Sequence, residues 1–271
     1  PLRISYANVA DGGIAFMNNY AVLALAVEIG YRLQESGAEI YRVEEAVRRI
    51  FLAYGIQSGQ VFAIPNCLIV SAIDAEQRPI CRLKRIPYHG TDIDRMERVY
   101  DYCRKVCASA PPVEQALDGL AKLEADHRVF PLWVQLAGYF VGAFGFSLFF
   151  GGTWLDAVAG GLCGVSIGLC LIFMTRFKTN LFFKTVAAAF VSALLAVALV
   201  QVGLGENASF ITIGALMALV PGVVFTNFMR DIMAGDMVAG LIKLVEALLT
   251  GGAIAIGTLV AMAAANGLWG V

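Results

Sequence analysis

A chain of 271 residues that is 59% hydrophobic, with a mean hydropathy of +0.72, is too apolar for an ordinary soluble domain. Its formal net charge is −1, and its basic residues are interleaved with acids, which excludes a nucleic-acid footprint. Residues 1–130 hold 15 of the 20 Lys and Arg and 16 of the 21 Asp and Glu, so a water-facing amino-terminal domain precedes a membrane domain, 131–271.

The opening residues lack a basic stretch followed by an apolar one, so no export signal is expected. Asn18 to Gln34 reads as a helix, with Val22, Leu25, Ala26, Ile29 and Leu33 on one stripe. Ser36-Gly-Ala-Glu39 has the spacing of a capping box and predicts a second helix, Gly37–Tyr54, with Ile40, Val43, Val47, Ile50 and Phe51 inward. Three extended runs follow, Gln60–Ile64, Cys67–Ile73 and Pro79–Ile86. In the third, Cys81 and Leu83 alternate with Arg82 and Lys84, as in a sheet with one wet face. Helices Asp92–Ser109 and Val113–Ala125 flank Pro111-Pro112. The order ααβββαα predicts a small α+β domain.

No catalytic motif appears in this half. His89 and His127 are isolated, and no phosphate-binding glycine loop occurs, so neither an enzyme nor a cofactor is expected. The six cysteines form no disulfide or zinc framework. Cys103 and Cys107, four apart on an apolar stripe, read as packing residues, as do Cys163 and Cys170, and no metal site is expected.

The second half reads as five membrane helices, at about 131–150, 157–175, 185–205, 207–229 and 247–267, each near the length needed to cross about 30 Å of hydrocarbon. Arg176, Lys178 and Lys184 lie in one link and Arg230 and Lys243 in another, while the remaining links hold only Asp156 and Glu206. The positive-inside rule then places the basic links and the amino terminus in the cytoplasm and the carboxyl terminus outside. Gly160, Gly164 and Gly168 repeat every four residues, as do Gly138 and Gly142, and such bare ridges let helices pack closely.

The fourth span differs from an anchor. Pro221 has no N–H to give the carbonyl of Met217, Gly222 leaves the backbone unshielded, and Asn227, Arg230, Asp231 and Asp236 follow at its downstream end. Asn227, Arg230 and Asp231 project from one helical sector. They read either as an interfacial polar cluster that ends a kinked helix or as part of a pathway for a carboxylated solute, with Arg230 as its fork and Asp231 or Asp236 as its ion-pair partner or a proton carrier.

Two stretches carry a resemblance. The run from Leu33 to Glu45, with Gly37, Glu39, Arg42 and Glu44, resembles the soluble signature of the threonine/serine exporters. The run from Pro221 through Gly222, Thr226 and Asn227, followed by Arg230-Asp231 and Gly235-Asp236, is similar to their membrane signature. The resemblance implies a secondary exporter in the bacterial inner membrane with a cytoplasmic amino-terminal domain. Because the chain stops after its fifth span, the resemblance also implies a small second membrane subunit, hence an oligomer, with threonine, serine or succinate as the solute. For Glu39, Arg42 and Glu44 a structural or docking role is favoured over ligand binding. A membrane-anchored metabolite sensor and a membrane hydrolase are the competing readings. Five spans with polar residues and a broken helix, where a sensor needs one or two anchors, speak against the sensor, and the missing catalytic constellation speaks against the hydrolase.

Overall fold

A computed structural model describes residues 12–74, 76–87, 90–126, 130–177 and 179–270; His89, His127 and Lys178 lie outside them. The chain divides into two compact units. One comprises Pro1–Arg128 together with Thr226–Lys243, and the other Val129–Phe225 together with Leu244–Val271.

The first unit is built on α1 (Gly12–Glu35) and α2 (Ile40–Ala53). The apolar stripes read from the sequence are buried in both, from Val22 to Leu33 and from Ile40 to Phe51. The strands β1 (Gln60–Ile64), β2 (Cys67–Ile73) and β3 (Pro79–Arg85) form an antiparallel sheet in the order β1-β2-β3. Helices α1 and α2 pack on the sheet, and α3 (Ile93–Ser109) and α4 (Val113–Ala125) pack against these helices. Arg95 at the start of α3 bonds both Glu35 of α1 and Glu124 of α4, locking three helices together.

The alternation in β3 is present, but its sense is opposite to hydrophobic-in, polar-out. Leu83 is 62% exposed, and Cys81 is exposed too. Lys84 is half-buried instead, with its ammonium on the Glu28 carboxylate and 4.1 Å above the Tyr31 ring. A long amphipathic side chain can cover apolar surface with its stem while its charge is paired, and α1 supplies the partner.

The expected capping box at Ser36 and Glu39 is absent. Ser36 N–H bonds the carbonyl of Arg32, Ala38 N–H that of Leu33, and the Ser36 hydroxyl that of Arg32. Gly37 has φ +85°, and a Cβ there would lie 2.5 Å from the carbonyl oxygen of Gly90. Ser36-Gly37 therefore ends α1 with a left-handed glycine instead of starting α2. Glu39 is the residue before α2 and makes no capping bond, so its carboxylate is committed elsewhere.

Among the described residues four helices are long and apolar enough to cross a membrane: α5 (Leu132–Phe149), α6 (Trp154–Arg176), α7 (Leu181–Gln201) and α10 (Met237–Trp269). The expected fourth span is not one helix. It is broken into α8 (Ala208–Leu216) and α9 (Gly222–Ala234), each too short to span alone. Through the break the ladder tightens to i→i+3 bonds, from Leu219 N–H to Leu216 and from Val220 N–H to Met217. The Met217 carbonyl thus keeps a donor despite Pro221, and Pro221 sits just ahead of α9, where its missing N–H costs nothing. The fifth span is the end of a longer helix. The 33 residues of α10 extend on the order of 50 Å, with Lys243 and Glu246 in the first part and no charge from Ala247 onward.

The glycines of α6 bring it against α5. A Cβ at Gly160 would meet the Ser147 hydroxyl at 2.1 Å, one at Gly164 the Tyr139 carbonyl oxygen at 2.5 Å, and one at Gly168 the Tyr139 ring at 2.7 Å. Gly138 and Gly142 do not serve this contact. A Cβ on either meets nothing within 4 Å, and both line an open groove of about 410 Å³ with Gln135, Tyr139, Phe146 and Ala218. Gly214 of α8 closes on Ser147 from another side, where an added Cβ would meet the Ser147 hydroxyl oxygen at 2.1 Å. At the far end the buried Asp156 closes a capping box with Thr153 and accepts from the N–H groups of Glu206 and Asn207, tying α6 to the start of α8.

Candidate functional site

The two signature stretches meet inside the α+β unit. Arg230 on α9 donates to Oε1 of Glu39, and Asn227 Nδ2 lies 3.5 Å from the carbonyl oxygen of Gly37. The other oxygen of Glu39 is 2.5 Å from Nε of Arg42, whose guanidinium also faces the Tyr41 hydroxyl at 3.0 Å. One carboxylate is therefore shared by two guanidinium groups from distant parts of the chain. Glu39 is only 13% exposed in this clasp, whereas Arg230 is 54% exposed.

A second layer lies behind Arg230 on the same helix. Asp231 is fully buried, its Oδ2 2.7 Å from Lys243 Nζ on α10, while its Oδ1 has no hydrogen-bond partner. Gly235, at φ +97°, turns the chain between α9 and α10, and Asp236 N–H bonds the Asp231 carbonyl. Gly240 lets α10 close on α9, since a Cβ there would meet Ile232 at 2.4 Å and the Phe228 carbonyl at 3.1 Å.

Asp236 and Glu44 face each other electrostatically. Burial is the main cause raising the Asp236 pKa above the usual aspartate value, with the negative charge of Asp231 adding to it. Glu44 is raised by burial and by Asp236, against the lowering effect of an N–H bond from Ala63, 3.1 Å away, and of Arg48. Both acids hold protons more tightly than free carboxylates do.

Of the residues singled out in the sequence, Gly37, Glu39, Arg42, Asn227 and Arg230 form the clasp, and Glu44, Asp231 and Asp236 the acidic layer beside it. Pro221, Gly222 and Thr226 lie upstream of the clasp on the broken segment. Lys243 was read only as an orientation charge. Its signal was a lone lysine seven residues into a long apolar helix, which at such a position calls for a buried acid. Among the described residues no group of His, Cys, Asp and Glu is placed to hold a metal ion.

An α+β unit whose clasp draws on a broken apolar segment, joined to a bundle with four bilayer-length helices, defines a multi-pass membrane protein. Residues 24–265 match the family model described as "Putative threonine/serine exporter", and the chain belongs to the threonine/serine exporter family. It is 25% identical over 93% of its length to a protein of Mycobacterium tuberculosis named "Probable threonine/serine exporter", covering 48% of that protein. It is 24% identical over 79% of its length to "Pheromone-regulated membrane protein 10" of Zygosaccharomyces rouxii, covering 22% of it. It is 26% identical over 79% to the protein of the same name in Debaryomyces hansenii, covering 21%. The chain thus spans less than half the length of these relatives. No solved structure matches it.

Proposed function

We propose that the chain is part of a secondary exporter that moves small carboxylated metabolites (threonine, serine or a dicarboxylate such as succinate) out through the bacterial inner membrane, driven by the proton gradient. The observation that carries this reading is the clasp. Arg230 presents a half-exposed bidentate fork that already holds a carboxylate of its own chain. A substrate carboxylate arriving from the cytoplasm exchanges with Glu39 on Arg230. Glu39 is not stranded, because Arg42 keeps its other oxygen. Glu44 and Asp236, whose pKa values are raised, supply sites that bind and release protons as the clasp opens and closes.

The same reading puts the α+β unit in the cytoplasm, in keeping with the basic link around Arg176 and Lys184, and places the carboxyl end outside. It includes a second membrane subunit that completes the path beyond the break at Pro221. Efflux from cells loaded with labelled threonine, serine or succinate tests it. An inserted Arg230→Gln variant should lose efflux of the solute that the wild type exports. Wild-type efflux from that variant would end the reading, and co-purification with a small membrane protein tests the partner.

A further inference from the structure

A second site lies within the α+β unit. Between α2 and α3 a cavity of about 880 Å³ opens to solvent, floored by Tyr41, Met96 and Tyr100 and rimmed by Arg42, Arg49 and Arg104. It is roomier than an amino acid the size of threonine needs. Glu45 and Glu97 also line it, so a ligand carboxylate would bind here by exchange with the carboxylates that the arginines already hold, not through an excess of positive charge. The guanidinium groups are lightly engaged. Arg49 pairs with Glu45, Arg104 with Asp101 and Arg42 with Glu39, and all three arginines are about half exposed or more, where ion pairs exchange readily. The Tyr100 hydroxyl is buried and has no hydrogen-bond partner. A buried donor left unpaired inside a native fold marks a place where a polar group is missing. Burial also raises the Tyr100 pKa, which keeps the group a neutral donor at physiological pH.

We propose that this cavity binds an organic carboxylate with a flat apolar body, the body on Tyr41 and Met96 and the carboxylate on Arg42 and Arg49, where it accepts from the unpaired Tyr100 hydroxyl. Arg42 belongs to both the cavity and the clasp, so the ligand competes with Glu39 for it. Occupancy therefore loosens the hold of Arg42 on Glu39, and by reciprocity a change at Glu39 alters the affinity of the cavity. Binding does not depend on which solute is exported. Only the regulatory consequence, that a cytoplasmic carboxylate other than the cargo resets the clasp, rests on the transport reading.

The test is calorimetric titration of the full chain in lipid nanodiscs with phenylacetate, and with benzyl alcohol as its uncharged counterpart. Phenylacetate should bind and benzyl alcohol should not. Arg49→Gln, at an exposed position that leaves the fold intact, removes a charged hydrogen bond and should weaken binding about tenfold. Met96→Trp fills the floor and should abolish binding. Glu39→Gln frees Arg42 and should tighten binding about fivefold. The double variant Glu39→Gln with Met96→Trp should bind nothing, which separates the cavity from an Arg230 fork freed by the same change. No phenylacetate binding to the folded wild type, or binding indifferent to both Arg49→Gln and Met96→Trp, would overturn the site. Unchanged affinity in Glu39→Gln would overturn its link to the clasp. Efflux is not measured in this experiment, so its failure leaves the transport reading to its own test.

Discussion

Replacing Lys243 by Met strips the buried Asp231 of its one side-chain partner. Lys243 is 10% and Asp231 0% exposed, and the second oxygen of Asp231 is already unbonded, so the variant leaves a carboxylate with no compensation from protein or solvent. Breaking a buried pair from one side costs about 3–5 kcal/mol. For a unit of this size each kcal/mol is worth about 3 °C, so the melting temperature should fall by about 10 °C. Replacing both partners together, Asp231→Leu with Lys243→Met, removes the stranded charge and should restore most of the loss, since such pairs are often worth little against apolar residues of similar volume. The assay follows exposure of the buried Cys103 thiol to a thiol-reactive dye on heating, in the detergent-solubilised chain. A Lys243→Met variant melting within about 2 °C of wild type would refute the buried-pair reasoning. A double variant no better than the single would show that the loss comes from packing, not charge.

Three further outcomes follow from the same geometry. Glu44 and Asp236 have pKa values raised on folding, so the folded unit takes up protons that the unfolded chain does not. Their contribution favours the fold below the raised values and is lost as pH climbs through them, a dependence that Asp236→Asn should flatten in melting curves taken across the acid range. Gly164→Val should force α6 away from α5, because the new Cβ would meet the Tyr139 carbonyl at 2.5 Å and backbone cannot yield. A loss of about 1–3 kcal/mol is expected, seen as a lower melting temperature of the helical bundle. Gly142→Ala, where a Cβ meets nothing within 4 Å, should melt like wild type.

Local periodicity carried most of the fold, and its misreadings have physical causes. The stripes of α1 and α2 and the ends of α4 were legible because a half-buried helix must repeat its apolar residues every three or four positions. Ser36 to Glu39 was misread because Ser-x-x-Glu is the pattern of a helix start, while Gly37 is also the residue that ends a helix. The choice was made by the close approach of the Gly90 backbone, which no local pattern records. In β3 the period was right and its sense wrong, because α1 offers Glu28 and Tyr31 to a lysine that alternation alone would send to water. Pro221 marked the break, yet length and hydropathy made one span of two short helices. The clasp was half visible: both of its halves were picked out, but the sequence placed Arg230 at a membrane boundary awaiting a solute. A contact between residues 191 positions apart leaves no periodic trace, and it gives Glu39 the role that the capping box had seemed to fill.

The account turns on whether Arg230 serves a solute or only latches Glu39, and exchanging the charges of the pair separates the two. Solute efflux would be followed from loaded cells carrying Arg230→Gln, Glu39→Gln, or the swap Glu39→Arg with Arg230→Glu, each at matched membrane levels. The account predicts that Arg230→Gln and the swap both lose efflux, while Glu39→Gln retains it with a lower half-saturating internal concentration, its internal competitor gone. Efflux restored by the swapped pair would contradict the account, because only a latch is indifferent to which side carries the guanidinium.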